Sequence, residues 1–287
     1  MKIGVSSYSF AAYVGSGRLD LFGVITKAKE MGFEGIEFAG IGVDAGSPDA
    51  VPLAKKIKAA CAAAGLPIIN YAAGANFLRP DGWQPEAERL KADVRVAAEL
   101  GAPVMRHDAG WGFPKEHKGP TDFAAALPIL ADGCRAVTEY ASGFGIKTTV
   151  ENHGFFVQDS ERCERLVRRV AHKNFGALID MGNFLCADED PVKAVGRMAA
   201  YAYHCHVKDF HVKPGTGPDP GKGFFKSRGG NYLRGAIVGH GNVDVPGCLA
   251  QLRRGGYEGW LSIEFEGMED NITALSIGLE NLRRYVG

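Results

Sequence analysis

The segment Met31-Gly32-Phe33-Glu34-Gly35-Ile36-Glu37-Phe38-Ala39 reads as a helix end, a glycine stop and a buried strand. Upstream of it, Leu21, Phe22, Val24, Ile25, Ala28 and Met31 recur at helical spacing over residues 19–31. Gly32 lacks the Cβ that would oppose a left-handed helix cap, so the helix stops there. A first strand pattern over residues 2–9 precedes this unit, and the unit then repeats. Helices at 49–64, 85–100 and 123–142 are stopped at Gly65, at Gly101 and at Gly143 or Gly145, and strands at 66–71, 102–107 and 147–152 follow them. Helices at 160–171, 191–200 and 245–255 lead into strands at 175–180, 201–208 and 260–264, and a helix at 270–285 closes the chain. About eight strands alternating with about eight helices is the sequence form of a parallel sheet with crossover helices. In 287 residues this predicts an α/β fold, a single (β/α)8 TIM barrel domain spanning 1–287. No G-x-G-x-x-G follows the first strand, which argues against an open dinucleotide-binding sheet.

Composition narrows the partners. Apolar residues make up 46% of the chain, enough for a large core, and Lys+Arg and Asp+Glu both total 33. With no net field to attract a phosphate backbone or an anionic membrane, the expected partner is a small molecule. The six cysteines never form a C-x-x-C pair, so reduced, buried thiols are expected rather than a zinc knuckle or a disulfide framework. No apolar run of about 20 residues occurs, and the N-terminus enters a strand directly; a soluble, cytoplasmic protein is the expectation.

The chemistry gathers around Tyr203-His204-Cys205-His206-Val207-Lys208-Asp209. Alternation in a strand puts His204, His206 and Lys208 on one face. Carboxylates stand at the ends of the neighbouring strands: Glu151 on the fifth, Asp180 on the sixth and Glu264 on the eighth. Catalytic groups of such barrels project from the C-terminal strand ends, so four adjacent strands would aim these side chains at one point. Clustered carboxylates repel one another unless a cation sits among them. A mixed carboxylate and imidazole set suits Mn²⁺, with Co²⁺, Mg²⁺ or Zn²⁺ as alternatives. Residues 211–244, rich in Gly and Pro and carrying Lys222, Lys226, Arg228, Arg234 and His240, read as a long loop placed to cover the mouth as a lid.

The strand ends Val150-Glu151-Asn152-His153, Ile179-Asp180-Met181-Gly182-Asn183, His206-Val207-Lys208-Asp209 and Ser262-Ile263-Glu264, with the Gly-Phe-Glu-Gly-Ile-Glu entry to the second strand, resemble the sugar phosphate isomerase/epimerase family with a xylose isomerase-like barrel. Ketose 3-epimerases, hydroxypyruvate isomerase and inosose dehydratase are among its members. The resemblance implies that Glu151, Asp180, His206 and Glu264 hold one divalent metal ion, Glu151 and Glu264 doubling as the acid/base pair. It implies a carbohydrate isomerase or epimerase working by proton transfer through a metal-stabilised enediolate, with a lyase or dehydratase acting on a keto-sugar, keto-glycoside or inosose as the alternative. Glu266 shares the face of Glu264 and competes with it for the ligand position. His153, Asn183, Lys208, Glu37 and His107 are the expected substrate contacts, with Arg106 beside His107 on the opposite face and Trp111 and Phe113 as pocket walls. Several ketose epimerases carry a His where this chain has Asn183, which argues against free-ketose 3-epimerase activity. Endonuclease IV shares the barrel but would need more histidines and a basic surface. A carbohydrate substrate is thus expected, with no nucleic acid and no membrane; self-association into a homo-oligomer is left open.

Overall fold

A computed structural model describes every residue from Met1 to Gly287. The first half of the chain runs β1 (Lys2–Ser6), α1 (Ala11–Gly15), α2 (Leu21–Met31), β2 (Gly35–Ala39), α3 (Ala50–Ala64), β3 (Ile68–Ala73), α4 (Gln84–Leu100) and β4 (Val104–His107). It continues through α5 (Phe123–Ser142), β5 (Lys147–Glu151), α6 (Ser160–Val170), β6 (Phe175–Asp180), α7 (Pro191–Met198) and β7 (Ala202–Val207). Three strands then depart from the alternation, β8 (Asp209–Lys213), β9 (Phe225–Lys226) and β10 (Tyr232–Ala236), before α8 (Val245–Arg254), β11 (Trp260–Ile263) and α9 (Asn271–Val286). Strands β1 to β7 and β11 close into a parallel barrel in the order β1-β11-β7-β6-β5-β4-β3-β2. No helix is long and apolar enough to cross a membrane.

The local reasons are those the sequence carries. Gly32 ends α2 at φ 88°, a left-handed conformation, and its N–H reaches back to the carbonyls of Ala28 and Lys29. Asp20, Asp122, Asp159, Asp190, Asp244 and Asp270 each cap the helix that follows by accepting a backbone N–H, which satisfies donors the first turn leaves open. Outward-facing strand residues such as Phe38, Met105, Val150, Ile179 and Cys205 pack under the helices in one continuous apolar core. All six cysteines are buried and unpaired.

The expectation of a structureless lid over residues 211–244 is corrected. Strands β8, β10 and β9 form a small antiparallel sheet, whose Phe210 and Leu233 bury themselves against Cys186. Arg228 donates to Asp159 at 2.7 Å and Ser227 to Asp188 at 2.6 Å, so the segment is tied to the loops after β5 and β6. None of its residues lines the cavity at the barrel mouth. The many glycines hid these three short strands, because turn residues dominate a composition count.

Asp209 locks this insertion to the barrel. Its buried carboxylate accepts the N–H groups of Gly239, Gly241 and Val243 at 2.8–3.0 Å. Orphaning a buried donor costs about 1–3 kcal/mol. Asp209→Ala is therefore expected to lose about 3 kcal/mol or more of stability in urea denaturation, and a loss below about 1 kcal/mol would show that the loop repairs itself with water.

Candidate metal centre and substrate cavity

Alternation along β7 places His204 and His206 inside the barrel, and both are buried. Glu37 on β2 lies between them, with Oε1 2.8 Å from His206 Nε2 and Oε2 2.7 Å from His204 Nε2. His206 therefore has one nitrogen committed to Glu37. Its Nδ1 is buried without a hydrogen bond and faces Glu151 Oε1 at 3.6 Å, Asp180 Oδ2 at 3.6 Å and Glu264 Oε2 at 3.4 Å. One ligand atom from each of these four residues lies within 4.8 Å of all the others.

Neighbouring side chains set the orientation of the four. Asn152 accepts the Asp180 N–H and donates to its carbonyl, both at 2.9 Å, which ties the ends of β5 and β6 together. Asn183 donates to Glu151 Oε1 at 3.0 Å, and its N–H donates to Asp180 Oδ1 at 2.9 Å. Arg106 Nε stands 2.6 Å from Glu151 Oε2, and its Nη2 lies 2.8 Å from Asp108. Lys208 Nζ is 2.7 Å from Glu264 Oε2 and 3.1 Å from Glu266 Oε1; it is also 3.1 Å from Asp180 Oδ2, an ion pair out of hydrogen-bond alignment.

These pairings decide the ionisation states. Burial alone would push the Glu151 carboxyl up, but the Arg106 guanidinium and His206 hold it well below the usual carboxylate range. Burial acts likewise on Glu264, and Lys208 with His206 holds it down to about 2. Burial would neutralise His206, yet Glu37 and Glu264 raise its pKa well above the ordinary imidazole value. Glu151 and Glu264 are thus kept ionised, and the charge around His206 favours a cation at this spot, the imidazolium proton when no other is there.

The cavity above the cluster has a volume of about 470 Å³. Of the expected substrate contacts, His153 and Lys208 line it, together with Glu151, His206 and Glu264. Glu37, His107 and Asn183 do not. Glu37 lies beneath His206; Asn183 is occupied by Glu151, Asp180 and Lys208. His107 points away from the barrel axis, bonded to the Asp108 carbonyl and packed against Phe77 and Phe175. Arg106, on the opposite face, is the one that enters. Trp111 is 52% exposed and touches His153 edge-on, while Phe113 stacks on His117; neither walls the cavity. Glu266 sits on the rim beside Lys208 and outside the four-residue cluster, which leaves Glu264 as its fourth member. The sequence reading missed Tyr8, the loop with Val43 and Asp44, and Tyr71, Arg89 and Asp93, all of which line the cavity. Arg89 and Asp93 are spaced i,i+4 on α4, a pattern that reads as an ordinary surface ion pair.

Comparison with known proteins follows the same lines. A family profile described as xylose isomerase-like TIM barrel matches residues 25–285. The rhizopine catabolism protein MocC of Rhizobium meliloti is 30% identical over 154 residues, 52% of this chain and 46% of that protein. An inosose dehydratase of Lactiplantibacillus plantarum is 26% identical over 180 residues, 62% of this chain and 58% of that protein. The chain thus spans about half the length of these curated relatives. The apo structure of 3-keto-D-glucoside 4-epimerase from E. coli superposes with a TM-score of 0.72 at 18% identity, covering 99% of both chains, a likeness of fold.

Proposed function

The chain belongs to the xylose isomerase-like TIM barrel family, and from that premise we propose that it is a divalent-metal sugar isomerase or epimerase acting by proton transfer beside a carbonyl. Glu151, Asp180, His206 and Glu264 would hold the ion. The observation that carries this reading is the buried, unbonded His206 Nδ1 facing three carboxylates. Two bonds of about 2.0–2.2 Å to a common ion put their donor atoms roughly 3–4 Å apart, and the separations of 3.4–3.6 Å fit that. Three carboxylates with one imidazole favour Mn²⁺ over thiolate-seeking metals.

When bound, such an ion supplies Lewis acidity that makes the proton on the carbon beside a substrate carbonyl easier to remove. Glu151, held ionised by Arg106, takes that proton. Glu264 is ionised beside the Lys208 ammonium, so the proton returned to carbon is drawn from that ammonium, 2.7 Å away, and passed on by Glu264. Lys208 recovers its proton from solvent. Return to the opposite face of the same carbon gives an epimer, and return to the neighbouring carbon gives an aldose/ketose isomer. A second reading, loss of a β-hydroxyl as in a dehydratase, is supported by the likeness to inosose dehydratase. Proton NMR in deuterated water, with a panel of ketoses and keto-cyclitols and the Mn²⁺-loaded protein, separates them. Exchange at carbon without loss of material supports isomerase or epimerase, and enone products support the dehydratase. Metal-loaded protein that exchanges no carbon-bound proton in any of them would refute both.

Glu37 belongs to this scheme as a positioning residue. It fixes the ring of His206 so that Nδ1 faces the carboxylates. Outer partners of ligand imidazoles are worth about 10–100-fold in metal affinity. Glu37→Gln is expected to weaken Mn²⁺ binding within that range by calorimetry, and unaltered affinity would show the pairing to be packing alone.

A further inference from the structure

The two ends of the barrel differ in what they expose. Beyond the C-terminal strand ends, Tyr8, Val43, Trp111, Phe155, Phe225 and Met268 are 38–56% exposed, in the connections after β1, β2, β4, β5, β7 and β11 in turn. The opposite end exposes Phe144 alone among large apolar side chains. With aromatic side chains of ~150–250 Å² each, the six leave roughly 500 Å² of apolar surface in water around the cavity mouth. A standard interface covers about 800 Å² per partner, and about 60% of that is apolar. The two areas agree.

Phe155 adds a second observation. Its φ of 64° is left-handed, a costly conformation for a bulky side chain, and it is imposed by the bond from its N–H to Gln158 and by Arg228 donating to its carbonyl. A monomer gains nothing by straining its backbone to present an aromatic ring to water.

The strand order identifies the occupant. A two-fold axis perpendicular to the barrel axis, passing between β1 and β11 on one side and between β4 and β5 on the other, exchanges β1 with β11, β2 with β7, β3 with β6 and β4 with β5. Under it Tyr8 faces the partner's Met268, Val43 faces the partner's Phe225, and Trp111 faces the partner's Phe155. The two connections without such a residue, after β3 and β6, meet each other. Charge follows the same axis. Residues 40–49 expose Asp44 and Asp49 and contain no Lys or Arg, while residues 213–226, which they would meet, expose Lys213, Lys222 and Lys226 with Asp219 as the one acid among them.

We infer that two copies of this chain pair face to face through the C-terminal ends of their barrels, each covering the cavity of the other. Tyr8 and Val43, the two rim residues that also line the cavity, then lie beneath the partner's Met268 and the partner's Phe225. The test is sedimentation velocity of the full chain over a dilution series. A dimer is expected at about 50 µM, since interfaces of this size hold at micromolar concentration or below. Trp111→Asp is expected to raise the dimer Kd by roughly 100-fold or more, because one substitution acts at two symmetric places. Phe155→Asn, whose side chain accepts left-handed backbone, should raise it by roughly tenfold or more with an unchanged circular dichroism spectrum. Phe144→Asp, at the far end, should leave it unmoved. Lys222→Glu with Lys226→Glu should weaken the dimer, and adding Asp49→Lys should recover part of the loss. A chain that stays monomeric at about 50 µM leaves the rim to a different partner and overturns the inference. So does a dimer that neither Trp111→Asp nor Phe155→Asn weakens, or one in which Asp49→Lys deepens the effect of the two lysine reversals.

Discussion

Glu264→Gln is expected to lower turnover by about 10²–10⁴-fold, and Glu151→Gln by a similar factor, while the barrel stays folded; positioned acid/base groups are worth that much. Glutamine keeps the shape and hydrogen bonding of the side chain and removes the site where a proton is held. The remaining charges stay paired. Lys208 still faces Asp180 and Glu266 after Glu264→Gln, and Arg106 still binds Asp108 after Glu151→Gln. Because both glutamates also hold the proposed ion, loss of turnover alone is ambiguous. Asp180→Asn resolves it, since Asp180 would be a ligand with no proton-transfer role. Excess Mn²⁺ should restore much of the activity of Asp180→Asn and little of that of either glutamine variant. An active Glu264→Gln protein without metal would refute the scheme.

Most of the barrel was legible because its determinants are local. Residues 175–180 and 35–39 are strands within the bounds the apolar runs predict, and the helix over 123–142 agrees at both ends. Glycine stops and strand parity are set by neighbouring residues, so they survive in a linear reading. Their place at the C-terminal ends of adjacent strands also aimed Glu151, Asp180, His206 and Glu264 at one point, and the structure gathers them. Depth along the barrel axis was not legible. Glu37 shares the inward face, but it is paired there with His204 and His206 and does not line the cavity, which strand parity alone does not show. At the end of β4, parity requires only that Arg106 and His107 part company. Arg106 turns inward because Glu151 and Asp108 are there to pair with it, which a single strand cannot show. The far wall of the cavity depends on contacts between β3 and α4 and between loops, and these have no periodic signature.

Stripping the proposed divalent ion is expected to abolish turnover altogether and to lower thermal stability. Glu37, Glu151, Asp180 and Glu264 all lie within 3.6 Å of His206, the first three buried and Glu264 partly so, with Lys208 and Arg106 as the other compensating charges. A cation removed from such a cluster leaves repulsion that only protons or those two side chains can offset. An ion present at 100 times its dissociation constant stabilises the folded state by about 2.7 kcal/mol. At about 2–4 °C per kcal/mol for a chain of comparable size, exhaustive chelation should lower Tm by roughly 5–10 °C. Returning Mn²⁺, Co²⁺, Mg²⁺ or Zn²⁺ singly should restore both quantities in parallel, and the order of recovery identifies the ion that fits. His206→Ala separates the ion from its scaffold, since it removes Nδ1 and also strips Glu37 of one imidazole partner. That variant should show the low Tm with or without added metal, and a chelated wild-type protein that keeps both its Tm and its turnover would remove the ion from the chemistry.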